Sequence, residues 1–293
     1  MSSLLFLNVL AGQILTTIPS QMVSASADAK RLQTFSVEGL RHPASGTIYP
    51  SHSLEQGGMP LGGLGTGYLC LDPDGRLGKC SIFNRLPAPM TLAQPWLFLE
   101  YQGRQIAVAA EKGGSPEGSQ VHYFGHFPVA DVRFELNLPV RVEVRAYSPF
   151  LPGDVMASST PAAVFAVRLT NLTASPQNGS VCFAPGGLPQ GDATAFALPG
   201  WTGLQVAHPT VEGLPGSVRH TYALAVDREG AKPASSIGLS APWNLGPQKQ
   251  CTVRFLLTWH QPRLREGSGR IEKHKYAERF DDAKAVAALA ARD

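Results

Sequence analysis

The segment 130–146 alternates apolar and polar residues with a period of two, and this pattern constrains the fold more than any other feature of the sequence. The apolar positions are Ala130, Val132, Phe134 and Leu136 and, after Leu138-Pro139, Val140, Val142, Val144 and Ala146. Charged side chains occupy most of the positions between them, including Asp131, Arg133 and Glu135. Because successive side chains of a strand point to opposite faces, the pattern predicts two antiparallel strands. One face is expected in a core and the other in water or against a partner.

Turn signals separate many other short apolar runs along the chain. Asp72-Pro-Asp-Gly75 divides two runs, since proline presets φ and glycine accepts the left-handed conformation, and Gln102-Gly103 divides two more. Glycine (30) and proline (24) are abundant among the 293 residues, as expected for a chain with many turns. Further strands are predicted at 164–169, 181–184, 222–226, 236–239 and 252–259. Ten or so strands of this kind predict an all-β fold, a large antiparallel β-sandwich.

The segment 276–291 is the one strongly helical stretch of the sequence. Its apolar residues at helical spacing are Tyr276, Phe280, Ala283 and Ala287, and they predict a stripe on a short C-terminal helix. No glycine cap or other stop signal precedes Asp293, so we expect the chain to be cut before a further helical part. We expect the stripe to pack on that missing part, and packing on the sandwich itself is the alternative that stays open.

The glycine-rich stretch 57–80 has no nucleotide-binding signature. A G-x-G-x-x-G fingerprint would need a glycine at position 68 or 70, where Tyr68 and Cys70 stand. No Gly-Lys-Ser/Thr follows, and a strand comes next rather than a helix N-terminus, so phosphate binding is not expected. Glycines in a strand context instead let another backbone or a ligand approach closely. The candidate close-approach positions are Gly62, Gly63 and Gly65.

Charge and hydropathy exclude two classes of partner. The formal net charge is +3 and lysine and arginine form no run, so a nucleic-acid-binding surface is not expected. No stretch of the chain reaches the 18 or so uninterrupted apolar residues of a transmembrane helix, so no membrane span is predicted.

Histidine and cysteine spacing predicts no metal ligand. On a strand His122 and His126 would lie about 13 Å apart, which is too far for one ion. The four cysteines include no Cys-x-x-Cys pair and are expected as buried free thiols. Cys70 and Cys80 flank a turn, so a contact between them across a hairpin stays open.

The carboxylates do not form a pair of the kind that a glycosidase requires. Asp131 and Glu135 flank Arg133 on the polar face of a predicted strand, which indicates a solvated surface. Asp281 and Asp282 lie near the start of the predicted helix, where negative charge suits the helix dipole. We therefore predict no catalytic residue, no cofactor-binding residue and no cofactor for this chain.

The first 27 residues have the length and Ala25-Ser-Ala27 cleavage form of a signal peptide, but the first positive charge is Lys30. Secretion or a periplasmic location and a cytoplasmic location therefore both stay open. The predicted organisation is a signal peptide at 1–27, a linker at 28–48, a β-sandwich at 49–265, and a linker with the first helix of an absent domain at 266–293.

Several motifs, taken in order, resemble one known domain. They are GMPLGGLGTG (58–67), DPDG (72–75), IFN (82–84), VRAYSPFLPGD (144–154), PAAVF (161–165) with Asn171, WHQP (259–262) and YAERFDDA (276–283). Together they resemble the N-terminal domain of glycoside hydrolase family 116, the non-lysosomal glucosylceramidases and β-glucosidases. The resemblance runs from about residue 50 to the end. Gln261 departs from it, since an aromatic residue is expected there.

The resemblance implies a β-sandwich that precedes an (α/α)6 barrel. In that family the barrel carries a Glu nucleophile and an Asp acid/base for retaining cleavage of β-glucosides. No position here matches either carboxylate motif, so no catalytic residue is carried over. The implied partner is the catalytic barrel of the same enzyme, with a β-glucoside or glycolipid as its substrate. Candidate interface or close-approach positions are Gly62, Gly63, Gly65, Asn84, Tyr276 and Phe280.

Two other functions stay open at this point. The chain could be a free-standing carbohydrate-binding sandwich that stacks sugars on its tryptophans, although tryptophans in such folds are more often buried. Those residues are Trp96, Trp201, Trp243 and Trp259. It could also be the inert remnant of a broken gene.

Overall fold

The computed structural model describes most of the chain beyond the N-terminal segment. The described ranges are 33–35, 42–50, 57–83, 89–92, 94–110, 120–208, 220–235, 237–265 and 268–292. The predicted signal peptide at 1–27, the interface candidate Asn84 and the predicted strand residue Ser236 lie outside these ranges.

Twenty-one strands lie within the described ranges. In chain order they are β1 (Gln33–Phe35), β2 (Ala44–Pro50), β3 (Met59–Leu61), β4 (Leu69–Leu71), β5 (Leu77–Cys80), β6 (Met90–Thr91), β7 (Leu97–Tyr101), β8 (Arg104–Ala107), β9 (Gln120–His126), β10 (Val129–Glu135), β11 (Val140–Tyr147), β12 (Ala162–Asn171), β13 (Gln177–Phe183), β14 (Asp192–Leu198), β15 (Trp201–His208), β16 (His220–Val226), β17 (Lys232–Ser235), β18 (Gly238–Leu245), β19 (Gln250–His260), β20 (Arg263–Arg265) and β21 (Ile271–Lys273). The helices are α1 (Val155–Ser158) and α2 (Ala283–Ala290), and a 3-10 turn lies at Lys275–Glu278.

The strands form an antiparallel sandwich, as the sequence predicts. A ten-stranded sheet, the large sheet, has the order β1-β2-β9-β10-β11-β12-β19-β16-β15-β14. A five-stranded sheet has the order β17-β18-β13-β7-β8, and a four-stranded sheet the order β3-β4-β5-β6. Strands β20 and β21 form a separate hairpin. Strands β1 and β2 extend the large sheet into the segment 28–48, where the sequence suggests a linker.

The alternating segment forms strands β10 and β11 in the predicted register. Val132 pairs with Val144 and Phe134 with Val142, so their side chains share the apolar face. All four are fully buried. The hairpins predicted at 68–83 and 96–109 are also present, as β4–β5 and β7–β8.

One core joins the large sheet to the two smaller sheets. Its centre is aromatic. Trp96 packs on Phe165 of the large sheet with ring centroids 4.9 Å apart, and Phe183 of the five-stranded sheet stacks on Phe255 at 5.3 Å. Such pairs add stabilisation beyond the burial of their area. The face of the large sheet that points away from this core is called here the outer face.

The C-terminal helical segment covers part of the outer face. Tyr276, Phe280 and Val286 form a small apolar cluster with Ala162 of β12, and Ala283 and Ala287 are fully buried. The small side chain of Ala162 leaves room for the segment to approach the sheet. Of the two positions given for the apolar stripe, the structure therefore shows the alternative one, on the sandwich itself.

The predicted single helix at 276–291 is interrupted in the structure. A 3-10 turn ends at Glu278 and α2 begins at Ala283. The break lies where Asp282 acts as the N-cap, because its Oδ1 accepts a hydrogen bond of 2.8 Å from the Ala285 amide. Aspartate is among the strongest N-cap residues, so it starts a new helix rather than continuing the previous turn.

At the far end of β12, Asn171 fastens the large sheet to the five-stranded sheet. Its Nδ2 donates to the carbonyls of Ser175 at 2.8 Å and Gly246 at 2.9 Å, and to Leu245 at 3.3 Å. Its Oδ1 accepts from the backbone amide of Thr173 at 2.9 Å. The side chain is fully buried, so all of its hydrogen-bonding capacity is used within the protein.

Candidate functional site at the loop edge of the large sheet

Several connections meet at one end of the central strands of the large sheet, and we call this end the loop edge. It comprises the glycine loop 62–67, the β9–β10 turn at 127–128, the segment 148–160 with α1, and residues 260–262 after β19. The opposite edge holds the connection after Asn171. Because β12 runs from one edge to the other over ten residues, the edges lie about 30 Å apart.

The glycine loop is held against the segment 148–160 by backbone contacts. The Leu64 amide donates to the Ser158 carbonyl at 2.7 Å, and the Gly62 amide donates to Ser148 Oγ at 2.5 Å. A Cβ atom on Gly63 would lie 2.3 Å from the carbonyl oxygen of Thr160, so no side chain fits there. The loop therefore depends on glycine to let two backbones approach each other.

Gly62 and Gly65 require glycine for a further reason, since both adopt positive φ angles of 146° and 69°. A Cβ on Gly62 would lie 2.3 Å from the Gly67 carbonyl oxygen, whereas a Cβ on Gly65 would meet no atom within 4 Å. All three candidate glycines thus lie at the loop edge. Gly62 and Gly63 make their close approaches within this chain, and Gly65 faces open space.

The side chain of Trp259, in β19, is hydrogen-bonded to the glycine loop. Its indole Nε1 donates to the Thr66 carbonyl at 2.6 Å, and Thr66 Oγ1 donates to the Gly63 carbonyl at 2.8 Å. Trp259 is fully buried. The strand β19 therefore sets the position of the glycine loop through a single side chain.

Large apolar side chains are exposed along this edge. Leu64 is 51% exposed, Phe127 62%, Val155 67% and Met156 49%. We call these four residues the edge patch. Phe127 also contacts Phe150, with ring centroids 5.3 Å apart. Four of the six exposed large hydrophobic residues among the described positions belong to this patch.

At the same edge, two buried histidines contact the Gln261 side chain, and a third buried histidine, His260, precedes it in the chain. Gln261 Oε1 lies 2.5 Å from His220 Nδ1, and Gln261 Nε2 lies 3.2 Å from His208 Nε2. Gln261 Nε2 also donates to the Thr221 carbonyl at 3.3 Å. Since a carbonyl can only accept, this bond fixes the orientation of the amide. We call His208, His220, His260 and Gln261 the histidine cluster.

One of these histidines has a buried nitrogen without a partner among the described residues, since His220 Nε2 makes no hydrogen bond. Burial lowers the pKa of His220, against the opposing hydrogen bond to Gln261. Burial also lowers the pKa of His260, against the Phe280 backbone and the Asp282 carboxylate. Gln261, at which the sequence departs from the family pattern, is thus the centre of this arrangement.

The polar face of β10 and β11 carries a buried ladder of ion pairs. The Arg145 guanidinium binds both carboxylate oxygens of Asp131, and Asp131 Oδ2 lies 2.9 Å from His126 Nε2. Beside them, Glu143 binds Arg133 at 2.7 Å and also binds Arg168. Asp131 is only 1% exposed.

The prediction that this face is solvated is therefore wrong. The register places Asp131 opposite Arg145 and Arg133 opposite Glu143, so opposite charges pair across strands and need little water. Burial acts to raise the pKa of Asp131, but the Arg145 guanidinium and the hydrogen bond from His126 outweigh it and hold the pKa below its ordinary value. Alternation in the sequence therefore predicts that a face is polar, but it does not predict that the face is exposed to solvent.

The described residues form no candidate metal site, since no three His, Cys, Asp or Glu side chains among them converge where they could hold a metal ion. Cys70, Cys80, Cys182 and Cys251 are free thiols, as predicted. Burial raises the pKa of Cys70, Cys80 and Cys182 to about 11, so these thiols are protonated at neutral pH. None of the helices in the described part of the chain is long and apolar enough to cross a bilayer.

The four tryptophans do not form sugar platforms. Trp96 and Trp259 are fully buried, and Trp201 and Trp243 are at most 7% exposed. Tyr276 and Phe280, two interface candidates, are likewise buried, against β12 of this chain. The exposed edge patch and the histidine cluster were not predicted, because neither follows a pattern within one strand.

Comparisons with known proteins give one family. Residues 58–186 match the model of a family described as beta-glucosidase 2, glycosyl-hydrolase family 116 N-terminal domain. A search of curated proteins finds no match.

Solved structures show similarity at low sequence identity. A protein described as a kojibiose phosphorylase from the human microbiome has a TM-score of 0.40 and 10% identity, over 67% of this chain and 24% of that chain. An aldose 1-epimerase described from Klebsiella pneumoniae subsp. pneumoniae has a TM-score of 0.40 and 10% identity, over 85% and 87%. A polysaccharide lyase has a TM-score of 0.36 and 12% identity, over 71% and 33%. The chain spans about a quarter of the length of the phosphorylase.

The family match begins just before the glycine loop and extends through β13, so it includes the ion-pair ladder, the edge patch and three of the four segments of the loop edge. The resemblance read from the sequence motifs is confirmed over this range. Over residues 58–186 the chain is similar to the N-terminal domain of glycosyl-hydrolase family 116.

Proposed function

We propose that this chain is the non-catalytic N-terminal β-sandwich of a retaining β-glucosidase or glucosylceramidase-like glycoside hydrolase. It supports a catalytic (α/α)6 barrel of the same enzyme in the degradation of carbohydrates or glycolipids. In this proposal residues 49–265 form the sandwich and residues 266–293 connect it to the barrel. The family match at 58–186 is the observation that carries the proposal.

The edge patch is the surface by which the sandwich would contact the barrel. Its four members are apolar and exposed, whereas the core beneath them is complete without a partner. The backbone bond from Leu64 to Ser158 joins the glycine loop to α1, which carries Val155 and Met156. A partner that covers this patch removes apolar area from water, and that is the main favourable term in association.

The alternative of a free-standing carbohydrate-binding module has less support. Sugar-binding platforms need exposed aromatic faces, and the four tryptophans of this chain are buried. Phe127 is the one exposed large aromatic residue among the described positions. We therefore favour the supporting role.

The test uses the 293-residue chain and a separately expressed catalytic barrel of a family 116 β-glucosidase. We expect the two to form a complex that Val155→Asp and Met156→Asp weaken by about 30-fold or more, as expected for a central interface residue. Leu172→Asp is the matched control, because Leu172 is also exposed but lies at the opposite edge. Its affinity should equal that of the unsubstituted chain.

Three outcomes would overturn the proposal. The first is that no complex forms. The second is equal weakening by the control and by the edge-patch variants. The third is hydrolysis of an aryl β-glucoside by the chain alone, lost on substitution of one of its own residues. Binding of the isolated chain to a soluble β-glucan, abolished by Phe127→Ala, would establish the alternative.

A further inference from the structure

The histidine cluster is joined to the C-terminal helical segment through the backbone of Gln261. The Tyr276 hydroxyl donates to the Gln261 carbonyl at 2.9 Å and accepts from the Gln261 amide at 2.8 Å. The Tyr276 ring also contacts His260 edge-on at 5.9 Å between centroids and stacks on His274 at 5.3 Å. Tyr276 is thus the link between the cluster and the 3-10 turn.

A second link joins α2 directly to the strands of the cluster. The Ala283 amide donates to Thr221 Oγ1 at 2.9 Å, and Thr258 Oγ1 donates to the Ala283 carbonyl at 2.8 Å. Thr221 follows His220 in β16, and its own carbonyl accepts from Gln261. A displacement of Gln261 or β16 therefore disturbs both ends of the C-terminal segment.

We propose that the histidine cluster is an acid-sensitive latch that holds the C-terminal segment, residues 275–290, on the outer face of the large sheet. At neutral pH the histidines are uncharged and the segment is closed. On acidification the cluster takes up protons and the segment is released, while the strands of the sandwich stay folded. This inference does not depend on the proposed function, because it concerns contacts within this chain alone.

The hydrogen bonds of the cluster are compatible only with neutral histidines. His220 donates its Nδ1 proton to Gln261 Oε1, which leaves Nε2 as the unprotonated nitrogen. A proton added there has no acceptor among the described residues. His208 Nε2 accepts from the Gln261 amide, so a proton added at that nitrogen would face a donor. Each protonation therefore either breaks a buried hydrogen bond or leaves a buried N–H group without an acceptor.

Few charges among the described residues offset a proton in the cluster. The carboxylates of Asp282 and Asp281 act on His260, and His220 and His260 act against each other. Asp282 is already engaged, since its two oxygens accept from the Ala285 amide and from Gln205 Nε2. His274, on the other side of Tyr276, also has its pKa lowered by burial, against a contact with the Gly65 backbone.

The sign of the pH effect follows from these directions. His220 and His260 have folded-state pKa values below the ordinary value of about 6.5. Above pH 6.5 both histidines are neutral in the closed and in the released form, so a change of pH does not alter the balance between the two forms. As the pH falls below 6.5, the released state binds protons that the closed state does not, so opening becomes more favourable.

The experiment measures amide hydrogen exchange of the 293-residue chain at pH 7 and pH 5, as protection factors corrected for intrinsic rates. We expect protection at residues 276–290 to fall at least about tenfold more than protection in β12. The double variant His220→Asn/His260→Phe should show a clearly smaller acid-dependent fall at residues 276–290, because His208 is the one histidine of the cluster that it retains. Asparagine retains a donor near Nδ1, and phenylalanine retains the ring that contacts Tyr276.

The matched control is His42→Asn, since His42 is exposed and far along the chain from the cluster. This variant should keep the acid-dependent opening. Parallel loss of protection in β12 and in 276–290, or a fall in the double variant as large as in the unsubstituted chain, would overturn the latch. If the double variant fails to fold, NMR titration of the assigned histidines of the unsubstituted chain decides. Titration of His220 and His260 well below pH 6.5 supports the latch, and ordinary titration of these two excludes it.

Discussion

The indole Nε1 of Trp259 donates a 2.6 Å hydrogen bond to the carbonyl of Thr66, so a residue near the end of the sandwich positions the glycine loop at its beginning. The two residues are 193 positions apart in the chain. Without this bond the buried Thr66 carbonyl would lose a hydrogen-bond donor. The contact therefore couples the loop edge to the centre of the large sheet.

Trp259→Phe should destabilise the chain by about 1–3 kcal/mol more than Trp243→Phe, because a buried acceptor left without its donor costs about that much. Trp243 is the matched control. It is also buried, but its Nε1 makes no hydrogen bond among the described residues. Urea unfolding of both variants gives the difference, and equal losses would show that the Thr66 bond contributes nothing.

Gly63→Ala should cost more stability than Gly65→Ala. A Cβ at Gly63 would overlap the Thr160 carbonyl at 2.3 Å, and backbone must move to admit it. At Gly65 there is open space, so the cost is only that of a left-handed conformation, about 1–2 kcal/mol. Thermal unfolding compares the two. A larger cost at Gly65 would mean that the two backbones are not in contact in solution.

Asp131→Asn should remove an acid-dependent part of the stability. Because the folded pKa of Asp131 is lowered, its stabilisation is present above the unfolded value of about 3.9 and is lost as the pH falls through the folded value. The unsubstituted chain should therefore lose stability below pH 4 more steeply than the variant. Unfolding free energies from pH 7 to pH 3 test this, and parallel curves would contradict the ion pair.

Substitutions on both faces of β10 should be costly. Phe134→Ala removes a buried aromatic ring, at about 3–5 kcal/mol. Arg133→Ala removes one of the two buried partners of Glu143, which keeps Arg168, so we expect about 1.5–3 kcal/mol, as for a hydrogen bond to a charged group. Arg104→Ala, on the exposed strand β8, serves as the control and should cost under about 1 kcal/mol. A cost for Arg133→Ala as small as that of the control would mean that the outer face is solvated after all.

The fold could be predicted from the sequence because the pattern of β10 and β11 and the turns at 72–75 and 102–103 are local signals. The state of the polar face could not, since Asp131 meets Arg145 only through the pairing of two strands. Likewise Gln261, which follows β19, meets His220 and His208 from 41 and 53 residues further along the chain. The candidate glycines could be predicted because a positive φ angle or a close backbone approach at one position requires glycine at that same position.

The buried amide of Asn171 has a consequence for covalent modification. Asn171-Leu-Thr173 has the form of an N-glycosylation acceptor, but its Nδ2 is committed to carbonyls of Ser175, Leu245 and Gly246. A glycan on that nitrogen would separate β12 from the end of β18, so sugar attachment and closure of the sandwich exclude each other at this position. The nearby Asn178-Gly-Ser180 acceptor is exposed on β13, and a folded chain that meets the modifying enzyme would offer that asparagine alone of the two.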